Sequence, residues 1–83
     1  MVTVHRQHGF HFMIFSDDHE PAHVHVMGDG GMKVTICGAG GLPEMVYAIG
    51  VKAKDRRRVM DTVVERQEEF LARWAEIQRS RTR

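Results

Sequence analysis

Apolar and polar residues alternate through Val2–Arg6 and again through Ala22–Met27. That period of two is what a half-buried strand requires, because successive side chains leave a pleated backbone on opposite faces. Phe10–Phe15 is aromatic and β-branched enough for a further strand. Gln7-His8-Gly9 joins it to the first, with glycine supplying a positive φ. A polar loop ending in proline, Ser16–Pro21, precedes the third strand. Gly28-Asp29-Gly30-Gly31 then predicts a hairpin turn into Met32–Cys37. After the glycine-rich Gly38–Gly41, Met45–Ile49 reads as a short fifth strand.

Beyond Gly50 the period changes. Val59, Val63, Phe70, Trp74 and Ile77 recur at helical spacings, with Met60, Val64 and Leu71 beside them. Such a stripe marks an amphipathic helix with one buried face. Glu69 and Arg73 stand four apart on its wet side, the spacing of a favourable ion pair. The expected fold is α+β, a small antiparallel sheet of four or five strands with one long C-terminal helix packed on one face. The sheet takes residues 1–49, the helix 51–79 and a basic tail 80–83, all in one domain over 1–83.

Alternation also assigns faces. Val2, Val4, Phe10, Phe12, Ile14, Val24, Val26, Val34 and Ile36 are expected under the helix. His5, His11, His23, His25, Lys33 and Thr35 then fall on the opposite face with Met13, Phe15 and Met27. A face that mixes histidine with Phe and Met suits a partner or a second copy.

Composition narrows the classes. With 83 residues there is one core and room for one site, and a domain of this size buries only about 60–65% of its unfolded surface. Twelve Lys and Arg against eleven Asp and Glu leave a net charge of +1, which is neither a nucleic-acid nor a membrane signature. The single cysteine, Cys37, excludes a disulfide framework within the chain. No signal peptide or long apolar run is visible, so a cytoplasmic location is expected.

Charge is unevenly spread. Lys52, Lys54, Arg56, Arg57 and Arg58 crowd together, and Arg79, Arg81 and Arg83 close the chain. Arg56-Arg57-Arg58 stands in the first helical turns, where the macrodipole disfavours cations. That placement reads either as a contact for an anion or acidic partner, or as a solvated charged turn. All six histidines fall within the first 25 residues. Two apart on one strand, His23 and His25 project the same way with about 6.5–7 Å between Cα atoms. Both rings can then turn toward one ion, with His19 or a nearby carboxylate as third ligand and an open fourth position. The same residues also suit acid–base chemistry for cleaving RNA through its own 2′-hydroxyl, one imidazole of His23 and His25 abstracting a proton while the other donates one. Lys33, Arg6 or the Lys52–Arg58 cluster would then stabilise the phosphorane. The plain alternative is that histidines decorate a half-wet sheet face.

The stretch Phe-Ser-Asp-Asp-His-Glu-Pro-Ala-His-Val-His-Val, Phe15–Val26, resembles the signature of the small bacterial family called domain of unknown function 4160. An opening Thr3-Val4 strand, a Gly9-Phe10 turn and a closing Glu-rich helix carrying Trp74 are similar too, although the family usually has a second proline where this chain has Ala22. The resemblance implies Asp18, His19, Pro21, His23 and His25 as functional positions. It also implies a neighbouring gene for a second small domain of unknown function, numbered 2442, in an arrangement read as a toxin–antitoxin pair.

The leading expectation is a non-enzymatic protein-interaction module of a toxin–antitoxin-like or mobile-element locus. Its partner would be a cognate small protein or a host nucleoprotein complex that it inhibits. Binding would use His11, Asp18, His19, His23, His25, Arg56, Arg57 and Arg58. The alternatives are a ribonuclease toxin with His23 and His25 as acid and base, and a metal protein holding zinc on His19, His23 and His25. Apart from zinc no cofactor is expected; a homodimer or RNA stays open as partner, and a membrane does not.

Overall fold

A computed structural model describes residues 1–36 and 41–81. Cys37, the Gly38–Gly40 part of the glycine-rich loop and the last two residues of the basic tail lie outside the described residues, as does the side chain of Arg81. The fold is α+β. Five strands, β1 (Val2–Gln7), β2 (Phe10–Ile14), β3 (His23–Gly28), β4 (Gly30–Thr35) and β5 (Glu44–Ile49), pair in sequence order as an antiparallel meander. Helices α1 (Ala53–Glu65) and α2 (Gln67–Arg81) follow. The β1–β2 hairpin turns at His8 and Gly9, with φ of 55° and 80°. Positive φ at both central positions gives the turn the twist its strands need.

The helices cover the face that alternation assigns to the core. Phe10, Phe12, Ile14, Val24, Val26, Val34 and Ile36 are buried there with Val59, Val63, Phe70, Trp74 and Ile77. Met32 and Val51 join them, and Val2 and Val4 pack at the margin half-buried. Among the described residues, no helix is long and apolar enough to cross a membrane.

Three expectations need correction. The helical region is not one helix, because Arg66 leaves helical geometry with φ −110° and ψ 17°. The Thr62 hydroxyl donates to the Arg58 carbonyl one turn earlier, a back-bond that bends helices. Just past the break, the Gln67 amide donates to the carbonyls of Ile36 (2.6 Å) and Gly41 (2.7 Å), tying the start of α2 to the end of β4. The break also changes the ion pairs. Glu69 bonds Arg66 and Arg73 bonds Glu76, so the expected Glu69–Arg73 pair is replaced.

His5 is the third correction. The β1–β2 register shifts between Thr3 and His5, so that Thr3 faces Met13 while His5 faces Phe12. A bulge of one residue sends every later side chain to the other face. His5 therefore lies on the helical side, its ring 5.6 Å from that of Phe12 and 6.2 Å from that of Phe70.

Candidate metal centre

The face away from the helices is read from the register. One row runs Arg6, His11, Met27, Gly31, Ile49, and the next runs Thr3, Met13, His25, Lys33, Tyr47. His23, Thr35 and Glu44 form a third, shorter row. The expected mixture of histidine and apolar side chains is present. Met13 is buried within it, whereas Met27, Val46, Tyr47 and Ile49 are exposed.

The loop between β2 and β3 folds back over the third row. A turn closed by the Asp18 amide donating to the Phe15 carbonyl (3.2 Å) begins the return. At the far end, the Ile36 amide donates to the Ala22 carbonyl (3.0 Å) and fixes where β3 starts. Between these points the Glu20–Pro21 peptide is cis. Glu20 is anchored as well, its Oε1 accepting from the Trp74 indole N–H at 3.1 Å. Loop and α2 are thereby joined at the end of the sheet.

This path brings Asp18 onto His23 and His25. Asp18 Oδ2 lies 3.1 Å from His23 Nε2 and 3.3 Å from His25 Nε2. The three ligand atoms all fall within 4.8 Å of one another. His23 is 5% exposed, wedged between Trp74 at 5.2 Å and His25 at 5.0 Å between ring centroids. Phe15 stacks edge-on against the other side of His25 at 4.6 Å. The rings therefore have little freedom to turn away.

The hydrogen-bonding pattern limits what the cluster can be. His23 Nδ1–H donates to the Pro21 carbonyl at 2.9 Å, which leaves Nε2 pointing at Asp18. Nε2 can face a carboxylate oxygen as a second N–H, in the charged ring, or as a lone pair sharing a cation with it. Asp18 Oδ2 and His25 Nε2 are buried atoms with no aligned hydrogen-bond partner despite their short separation. Burial pushes the His25 pKa below its ordinary value and the nearby Asp18 carboxylate opposes that, while His23 and Lys33 push it further down. A neutral His25 ring, with its Nε2 lone pair available, is a metal ligand.

Two of the three donor separations, 3.1 and 3.3 Å, match the edges of a coordination polyhedron. Bonds of about 2.0–2.1 Å put neighbouring ligands roughly 3.0–3.4 Å apart. Two imidazoles and one carboxylate suit zinc or another divalent transition metal and leave positions open. Asp18, His23 and His25 line a cleft of about 470 Å³ bounded by the loop on one side and by Lys33, Thr35 and Val46 on the other.

The other site candidates separate. His19 lines the cleft but is not one of the converging three; Asp18 takes the place the expected metal set gave to His19. His11 lies exposed two rows from His23 and outside the cleft lining. Arg56, Arg57 and Arg58 belong to the helical layer on the opposite side of the sheet from His25 and Lys33. There Arg56 donates to the Val51 carbonyl at 3.0 Å and Arg58 lies 3.9 Å from Asp55. The expected partner set thus divides between two surfaces. Sequence reasoning missed the Glu20–Trp74 latch, for which a separation of 54 residues leaves no local signal.

The family described as "Domain of unknown function (DUF4160)" matches residues 9–75. The chain belongs to this family. The matched segment of this DUF4160 domain contains Asp18, His23, His25 and the Glu20–Trp74 latch together. No curated protein and no solved structure matches the chain.

Proposed function

We propose that this DUF4160 protein binds one divalent metal ion, zinc by donor preference, on Asp18, His23 and His25. The observation that carries this reading is the convergence of a carboxylate oxygen and two imidazole nitrogens, two of the three atoms buried and without hydrogen-bond partners. A buried polar group left unpaired costs free energy, and a shared cation removes that cost for both atoms at once. Tag-free protein titrated calorimetrically with zinc is expected to take one ion per chain. Asp18→Asn and His25→Gln should each weaken it by roughly ten- to hundredfold or more, the scale of losing a metal-site contact. Equal zinc affinity in wild type and His25→Gln would end this reading.

A second reading, a cytoplasmic interaction module from a toxin–antitoxin-like locus, is supported by the exposed apolar side of β5. Val46 is 54% exposed, Tyr47 42% and Ile49 69%, at the edge of the sheet. An unpaired apolar edge is a template for another chain. Capture of the tagged protein from its host should return a stoichiometric protein partner that Ile49→Arg releases. A partner held equally by Ile49→Arg would remove β5 as its docking surface. The ribonuclease reading has less support, because both Nε2 atoms face the same carboxylate oxygen instead of opposite sides of a bound phosphodiester.

A further inference from the structure

We infer that the metal centre is an oxyanion-binding site, taking an oxygen of phosphate or a phosphomonoester on the open side of the ion, with Lys33 holding a second oxygen. The inference rests on the metal reading above and assigns its ligand class. It begins with Lys33, which lies directly opposite His25 across β3 and β4 and lines the cleft. Lys33 is half-buried. Among the described residues its ammonium has neither an ion pair nor a hydrogen bond.

An unpaired ammonium on a half-buried side chain, beside three metal ligands, is costly once a dication is present. Like charges disfavour each other, and each loses hydration on burial. A metal kept only for structure would be served by an apolar residue or a fourth ligand at this position. Among the described residues the metal-ligating group has three members and no fourth. An anion seated between the ion and the ammonium removes the repulsion and fills the open coordination position.

The carboxylates near the cleft do not already play that part. Asp18 is committed to the cluster, and Glu20 is turned onto Trp74. Asp17 lines the cleft but forms no ion pair with Lys33. Thr35, on the same face two residues along β4, adds a hydroxyl donor to the wall that carries Lys33. Asp17, Asp18 and Glu20 lie on the loop side of the cleft, while the β4 side offers one ammonium and one hydroxyl beside the open metal positions, the donors that suit a small tetrahedral oxyanion.

The test uses the whole chain loaded with cobalt(II), whose visible absorption reports its own coordination. Inorganic phosphate and phenyl phosphate are titrated in separate arms at constant ionic strength. Saturable change of the cobalt spectrum is expected, with Lys33→Met weakening it roughly ten- to hundredfold, the value of a charge-assisted hydrogen bond. Cobalt affinity in Lys33→Met should be unchanged or tighter, which separates loss of the anion from loss of the fold. Tighter binding of phenyl phosphate assigns the site to esters, and tighter binding of phosphate assigns it to the free anion; either supports the inference. A cobalt spectrum that neither anion alters overturns it while leaving the metal reading intact, as does a Lys33→Met variant that binds phosphate like wild type. Failure of cobalt and zinc to bind at all removes both readings together.

Discussion

Asp18→Asn changes one oxygen of the cluster to an amide nitrogen and removes the only carboxylate among its three ligands. Shape is preserved, so a stability difference that appears only with metal isolates coordination from packing. Binding to the folded state alone adds RT ln(1 + [L]/Kd), about 2.7 kcal/mol with zinc at a hundred times Kd. For a chain of 83 residues, an unfolding entropy near 2.1 cal/mol/K per residue totals about 0.17 kcal/mol/K. Zinc should therefore raise the wild-type Tm by about 16 °C. If Asn weakens binding about a hundredfold, the same zinc concentration equals its Kd, and the gain falls to about 0.4 kcal/mol, or about 2 °C. Differential scanning calorimetry with and without zinc measures both. The six histidines let the unfolded chain bind zinc as well, which lowers both shifts without equalising them. His19→Ala, outside the cluster, should keep nearly the whole wild-type shift. Equal shifts in wild type and Asp18→Asn, or a shift lost only in His19→Ala, would refute the geometry.

Phe70 is fully buried against Phe12, ring centroids 5.8 Å apart, where α2 meets the sheet. Phe70→Ala should cost about 3–5 kcal/mol, a large part of the total of a domain this size, and urea denaturation should show a midpoint lowered at unchanged slope. Gly30 has φ +107°, and a Cβ built there would lie 2.6 Å from the Gly50 carbonyl carbon and oxygen. Gly30→Ala should therefore lose about 1–3 kcal/mol of stability, with an unaltered Tm as the contrary result. The depressed His25 pKa makes the metal-free protein pH-sensitive. The folded state resists protonating this ring, so the unfolded state binds more protons below pH 6.5. That stability is present above 6.5 and is lost as pH falls through the folded-state value. His25→Gln should flatten the slope of Tm against pH in this window, and an identical slope would count against the burial argument.

Most of the sheet was legible because its signal is local. Strand alternation placed Phe10, Phe12, Ile14, Val24, Val26, Val34 and Ile36 on the buried face, and all seven are there. His5 was misplaced because a bulge is a relation between two strands, and nothing in Val2–Gln7 alone announces the extra residue. The helix break at Arg66 was hidden for a similar reason. Neither glycine nor proline marks it; Gln67 is fixed by carbonyls 31 and 26 residues away.

The site divides along the same line. His23 and His25 were found by their spacing, a property of one strand. Their third partner stays open between His19 and a nearby carboxylate, since His19 and Asp18 are adjacent in sequence and only the loop's path decides between them. The turn at Phe15–Asp18 and the anchor of Glu20 on Trp74 set that path. Trp74 accordingly has two effects: it fills the core and, through Glu20 and its contact with His23, it holds the loop that delivers Asp18. Metal affinity should thus depend on a helix that contributes no ligand. The contact is made where α2 reaches the start of β3, the place of His23.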